Sequence, residues 1–434
     1  MSFPFINLAA QYQELKEKID ERVRGVFASG RYIMGDEVTA LEREIASYCA
    51  VAEGVGVDSG TRALELIFRA LCIRAGDEII TTPFTFFATV SSILSVGAVP
   101  VFADIDPETL NIDPESIAKK ITPKTRAIAV VHLFGLMADM PRVLAAAGGI
   151  PVIEDACQAL GASINGKKAG AWGRAAALSF FPTKNLGGAG DGGMVLTNDA
   201  ELAERVRVLR NHGSRRASEH EEVGCTGRLD ALQAAVLRAK LPRLDGWNAL
   251  RAANAAAYTG ALCGGAGECA VSAALCDELD IEISESGSGA ESGGQGDKLA
   301  IEISDPGSCS AAESGAAHST LGKCARRVGP PKFFVPQKTP KGYAHTWHQY
   351  TLRTQNREQL LDELAGADIP YAVYYPVPAY LQEACRKQMD AAYPGLCPEA
   401  ERAASEVFSL PVCPHLAPEN RARVLEVLSA WRDR

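Results

Sequence analysis

Seven short apolar runs, rich in β-branched residues and separated by helix-like stretches, constrain this chain more than any other feature. They span 54–58, 78–82, 99–104, 127–131, 151–155, 177–181 and 194–197. Their hydrophobicity is continuous rather than alternating, the pattern of strands buried on both faces, and intervening helical patterns such as 61–72 supply the crossovers of a parallel arrangement. The expectation is an α/β fold with a mainly parallel, seven-stranded sheet flanked by helices and functional residues gathered at strand ends. After Gly227 a helix is expected over 228–244, with Leu229, Leu232, Val236 and Ala239 on one stripe. The remainder reads as a smaller α/β domain, with strand-like 346–354 and 369–375 and helices near 357–365 and 418–431. The expected organisation is a large domain over 1–250 and a small C-terminal domain over 251–434, interrupted by an insertion at about 264–331.

That insertion is rich in Gly, Ser, Ala, Glu and Cys, and Leu279-Asp280-Ile281-Glu282-Ile283-Ser284 returns within it as Leu299-Ala300-Ile301-Glu302-Ile303-Ser304. Its Gly/Ser tracts bury too little apolar surface to fold alone, so it reads as a surface excursion or, functionally, as a partner-docking element. Over the whole 434-residue chain, 47% hydrophobic and 22% charged residues describe a globular protein with a large core. Forty-four basic against 53 acidic residues, with no long basic run, argue against a nucleic-acid or membrane-surface partner. The N-terminus has no basic region followed by an apolar stretch, and no run reaches a membrane span, so the cytoplasm is the expected location. The 12 cysteines match no zinc spacing, and no metal is expected.

Chemistry concentrates in Ser179-Phe180-Phe181-Pro182-Thr183-Lys184-Asn185-Leu186-Gly187-Gly188, which sets one lysine between an apolar run and a glycine-rich loop. An ammonium flanked by Phe180, Phe181, Pro182 and Leu186 loses hydration and its pKa falls, the condition a Schiff-base lysine needs to attack an aldehyde. Upstream, the strand Pro151-Val152-Ile153-Glu154-Asp155 ends in a carboxylate with Gln158 three residues on. A carboxylate so placed keeps the pyridine nitrogen of pyridoxal phosphate (PLP) protonated and the ring an electron sink. Ser59-Gly60-Thr61 follows a strand and opens a helix, either as an ordinary N-cap or as a phosphate cradle at the positive helix end. Phe86 lies just past another strand end, where an aromatic face can stack on a planar cofactor while Phe84 or Phe87 packs in the core. Two glycine motifs read as structure. Gly188-Ala189-Gly190-Asp191-Gly192-Gly193 precedes a strand instead of opening a helix, and the run 161–168 puts Lys168 where a P-loop needs a magnesium-binding hydroxyl.

With these residues in place, and with Phe5-Ile6-Asn7-Leu8, Ser29-Gly30-Arg31-Tyr32-Ile33-Met34-Gly35, Arg228 to Ala235 and Tyr374-Tyr375-Pro376 in the same order, the chain resembles the DegT/DnrJ/StrS sugar-nucleotide aminotransferases, PLP enzymes of fold type I. The resemblance implies that Lys184 carries PLP, Asp155 meets the pyridine nitrogen and Gln158 the ring's phenolic oxygen. It places Ser59, Gly60, Thr61 and Ser179 at the phosphate and Phe86 on the ring. It implies a homodimer whose sites are completed by the partner subunit, L-glutamate as donor, and a keto sugar on a nucleoside diphosphate as acceptor, for polysaccharide or amino-sugar biosynthesis. Related dehydratases carry histidine where this chain has Lys184, so amino transfer is implied. The chain looks most like members that aminate a 3-keto uridine-diphosphate N-acetylhexosaminuronate, in which case Arg228 meets the sugar carboxylate; otherwise it pairs structurally with an acidic residue. The chain departs from the family at Thr226, where asparagine usually reaches the neighbouring subunit's phosphate, at Tyr380, where histidine is common, and near Ser218, where an aromatic residue is missing. The rival reading is a non-catalytic PLP-binding sensor or scaffold that uses the insertion as its partner surface.

Overall fold

The computed structural model describes residues 3–216, 219–263, 338–388 and 396–432. The insertion, its repeated segment and Ser218 lie outside them. A seven-stranded sheet organises the first half of the chain: β1 (Glu53–Val57), β2 (Glu78–Thr81), β3 (Val99–Phe102), β4 (Thr125–Val131), β5 (Val152–Asp155), β8 (Ala175–Ser179) and β9 (Gly193–Thr197), in the order β1-β9-β8-β5-β4-β2-β3. Short pairs flank it: β6 (Ser163–Ile164) joins β7 (Lys167–Lys168) and β12 (Tyr343–Ala344), and β10 (Ser214–Arg216) joins β11 (Glu219–His220). The β3/β2, β2/β4, β4/β5 and β5/β8 pairings are parallel, whereas β9 runs antiparallel to both neighbours. Six strands therefore point the same way, and the C-terminal ends of β1, β2, β5 and β8 share one edge.

The unbroken hydrophobicity of these strands has a direct cause. Ile80, Ile128, Val130, Val152, Met194 and Leu196 enter a core on one face of the sheet, while Ile79, Ala127, Ala129, Ile153 and Val195 enter a core on the other. Period-two alternation thus divides each strand between two dry faces, so apolar residues dominate both. The strand expected at 177–181 begins and ends two residues earlier. Its register against β5 starts at Ile153↔Ala175, and the alanines there pair through backbone although their β-propensity is low.

The helix expected over 228–244 is corrected at both ends. Arg228 and Asp230 are extended, bridging Val57 and Ile33, and the helix proper is Ala231–Lys240. Pro242, which has no N–H to donate, lies in a 3-10 turn, Leu241–Arg243, before a second helix, Leu244–Cys263. That second helix runs through residue 250 without a break. In the C-terminal part, 346–354 shortens to β13 (Tyr350–Arg353), which pairs antiparallel with β14 (Val407–Leu410). The strand expected at 369–375 is reduced to a single bridge, Ala372↔Ser409. The helices Arg357–Gly366 and Pro418–Arg432 stand where the sequence puts them, and Tyr258, Tyr350, Phe408 and Trp431 form the core between these elements. Among the described residues no helix is long and apolar enough to cross a membrane.

Candidate active site

The end of β1 turns into the helix Gly60–Ala70 through Ser59, whose Oγ accepts from the Arg62 amide at 3.1 Å. Ser59 is thus an N-cap, and this leaves the Gly60 and Thr61 amides, which have no carbonyl four residues back within the helix, at its positive end. Gly60 is required by closeness. A Cβ there would lie 2.7 Å from Cys157 Sγ and 2.8 Å from Ser179 Cβ, so the ends of β1, β5 and β8 meet at this residue.

Asp155 closes β5 and is nearly fully buried. Its Oδ2 accepts from the Thr89 hydroxyl at 2.8 Å and its Oδ1 from the Cys157 amide at 3.3 Å. Gln158 is held at both ends of its amide: Oε1 accepts from Phe134 N at 2.7 Å and Nε2 donates to Tyr375 Oη at 2.9 Å. One Nε2 proton remains for a ligand. Beyond β2, Phe84 is fully buried, while Phe86 is 58% exposed, with its ring 6.2 Å from that of Tyr375. The core role and the open face expected of this phenylalanine cluster thus fall on different residues.

Ser179 ends β8, and its Oγ accepts from Phe181 N. Lys184 follows in a loop and is half-buried. Burial lowers its pKa, against the opposing pull of Cys157 and Asp155. These three groups therefore lie within electrostatic reach of one another. Phe180 and Leu186 are buried in the core, whereas Phe181, expected to help dehydrate the lysine, is 49% exposed.

Thr226 and Arg228 form a separate patch against the end of β1, where Val57 bridges Arg228. The Thr226 hydroxyl and His212 Nε2 are 2.8 Å apart. Arg228 donates from Nη1 to Asn211 Oδ1 at 2.8 Å, and its buried Nε has no partner among the described residues. It makes no ion pair among the described residues. Tyr380 is buried and donates to Glu401 Oε1 at 2.5 Å, a core role rather than an open one. The run 161–168 forms a hairpin turned by Asn165 and Gly166, with Lys168 3.3 Å above the Tyr48 ring, a charged turn as expected. Gly188 to Gly192 lead into β9 without opening a helix, also as expected. Sequence reasoning missed Thr89, and it read Tyr375 only as part of a family motif, without a place in the site. The paired threonines Thr85 and Thr89 around Phe86, 3.0 Å apart, were the available signal for the first.

A lysine, a buried carboxylate, a helix N-terminus and an open aromatic ring at one edge of a mainly parallel sheet define the PLP-dependent enzymes of fold type I. The donor set fits PLP: helix-end amides and a hydroxyl for an anion, a buried acid for a ring nitrogen, an amine for an aldehyde. The profile of the DegT/DnrJ/EryC1/StrS aminotransferase family matches residues 13–275 and 329–429, and the chain belongs to that family. It is 39% identical to a protein of Geobacillus stearothermophilus named a pleiotropic regulatory protein, covering 99% of each chain. It is 37% identical to a UDP-N-acetyl-3-dehydro-α-D-glucosamine 3-aminotransferase of Acidithiobacillus ferrooxidans, over 98% of this chain and 97% of the relative. It is 36% identical to a UDP-2-acetamido-2-deoxy-3-oxo-D-glucuronate aminotransferase of Pseudomonas aeruginosa, over 95% of each. The crystal structure of DesV from Streptomyces venezuelae superposes with a TM-score of 0.82 at 36% identity, covering 100% of this chain and 99% of that one. PLP is the cofactor of the family.

Proposed function

We propose that the protein moves an amino group from L-glutamate to the keto group, at carbon 3, of a nucleoside-diphosphate sugar, in polysaccharide or amino-sugar biosynthesis. The convergence of Gly60, Asp155, Cys157, Ser179 and Lys184 at one sheet edge carries this reading. PLP, when bound, supplies an electron sink for the carbon that gains the amine. In our reading the Gly60 and Thr61 amides and the Ser179 hydroxyl bind the cofactor's phosphate, with Ser59 as the cap that aims the amides. Asp155, oriented by Thr89, holds a proton on the ring nitrogen, and the remaining Gln158 Nε2 proton is directed to the ring oxygen. Phe86 covers the open face of the ring. Lys184 Nζ would hold the cofactor and, as a free amine, would move a proton at the substrate carbon; its lowered pKa suits both duties. Arg228, with no carboxylate partner among the described residues, is assigned to an anionic group of the acceptor, and Thr226 takes the place of the asparagine at the partner subunit's phosphate with a hydroxyl already tied to His212.

We assign the large lobe to 1–250 and the small lobe to 251–434, and expect a cytoplasmic homodimer with a solution mass twice the 46.1 kDa chain. The sensor or scaffold reading is not favoured, because Lys184 and Asp155 both stand in the site and the UDP-sugar relatives are named as aminotransferases. The deciding experiment is the visible spectrum of the purified protein before and after L-glutamate. A visible cofactor band that converts to a near-ultraviolet one supports the reading, as does loss of the band and of amino transfer in Lys184→Ala. Normal turnover by that variant would refute it.

A further inference from the structure

The Lys184 side chain has no hydrogen-bond partner among the described residues, yet the next residue has three. Asn185 is 4% exposed. Its Nδ2 donates to Asn248 Oδ1 at 2.7 Å and to the Thr346 carbonyl at 2.9 Å, and its Oδ1 lies 3.0 Å from His348 Nδ1. With both amide protons spent, Oδ1 can only accept, so His348 must carry its proton on Nδ1. His348 is itself buried, and burial, with the nearby cations Lys184 and Arg251, drives its pKa well below the usual range. It therefore presents one proton and no charge. Asn248 in turn donates to the Leu160 carbonyl at 3.3 Å, two residues past Gln158. Downstream the loop is fastened twice more, by Lys240 Nζ on Gly187 O and by Gln233 Oε1 on Ala189 N, each at 2.7 Å.

We propose that Asn185, locked by His348 and Asn248, is a positioning residue that sets where Lys184 places its amine. The inference rests on the reading of Lys184 as the cofactor-bearing lysine and extends it to residues outside that set. A lysine with four rotatable bonds and no hydrogen bond of its own has its reach decided by its backbone, and here that backbone is fixed by a fully satisfied buried amide next door. Proton transfer tolerates little error, since a displacement of about 1 Å costs on the order of 100-fold in rate. Asn185 also ties the loop to the helix Leu244–Cys263 and to 346–348, so these three segments place Lys184 together.

The test uses the full-length, PLP-loaded protein and reads the pH midpoint of its visible cofactor band, with kcat and KM read separately. Asn185→Ala is expected to move that midpoint by about one unit, because the amine changes its distance from Asp155 and Cys157. It should also lower kcat by about 100-fold with KM for the sugar nucleotide unchanged. His348→Gln, which keeps a donor for Asn185 Oδ1, should hold the midpoint; His348→Phe, which has bulk but no donor, should shift it. If Asn185→Ala does not fold, the two His348 variants decide. An unmoved midpoint in folded Asn185→Ala, or identical behaviour of His348→Gln and His348→Phe, overturns the positioning role alone. A wild-type protein with no visible band brings down the reading of Lys184 and this inference with it.

Discussion

Glu154 and Asp155 are neighbours in β5 that face opposite sides of the sheet, and the difference decides what each does. Asp155 looks toward Lys184, whereas Glu154 is fully buried on the other side. There it meets His132 Nε2 at 2.9 Å and accepts from the amides of Gly170, Trp172 and Gly173 at 2.8, 2.7 and 2.7 Å. The Ala138 amide donates to His132 Nδ1, so the imidazole proton is on Nε2 and points at the carboxylate. Burial pushes the Glu154 pKa up, but His132 and the backbone donors together hold it below its ordinary 4.5. Its stabilising contribution is therefore present above pH 4.5 and is lost as pH falls through the depressed value. Glu154→Ala leaves one imidazole and three amides without an acceptor in a dry site, and should cost about 3–5 kcal/mol in urea unfolding at pH 7. A loss below about 1 kcal/mol would mean that water replaces the carboxylate. The pair Glu-Asp was plain in the sequence; the five partners that separate structure from chemistry, drawn from 89, 132 and 170–173, were not, because the fold alone brings them to one strand.

The helix Ala231–Lys240 shows how an element carries a constraint that its own pattern hides. Its apolar stripe was legible, and Val236 and Ala239 do pack on Leu15 and Ile19. Its last residue is Lys240, 7% exposed, which donates to Gln11 Oε1 at 2.9 Å and to Gly187 O and meets no carboxylate among the described residues. Burial pushes its pKa down from 10.5 to about 8. Between those values the unfolded chain holds a proton that the folded lysine has released, so native stability rises with pH across that window. The rise is about 3 kcal/mol at most. Lys240→Met lacks this titration, and the unfolding free energy of the wild type should gain on that of the variant from pH 8 to pH 10. A pH-independent gap would show that the cation is at ease in its site. Sequence pattern put this helix three residues early and carried it through Pro242, because an extended Arg228-Leu229-Asp230 looks like one more turn until it is seen bridging β1.

At the scale of the whole molecule, the segments on either side of the insertion end in structure. The helix Leu244–Cys263 precedes it, and Tyr343–Ala344 pairs with Ser163–Ile164 after it. Long surface insertions cost little to carry or remove when their flanks are anchored. Deleting 264–331 should therefore leave amino transfer within about threefold of wild type, measured with glutamate and a keto sugar nucleotide. Loss of activity in a folded deletion variant would give the insertion a part in the reaction. What the sequence determined by itself was local: unbroken apolar runs long enough only for strands, a lysine ahead of a glycine loop, an acid at the end of a strand. Those patterns follow from hydrophobic periodicity and backbone chemistry, which act over a few residues. The tertiary structure decided which groups meet across the chain. Gly60 lies against Cys157 and Ser179, Thr89 against Asp155, and Asn185 against Asn248 and His348. Each is a contact between segments tens of residues apart, fixed by the order of strands in the sheet and the path of the chain between them, and no local pattern encodes that order.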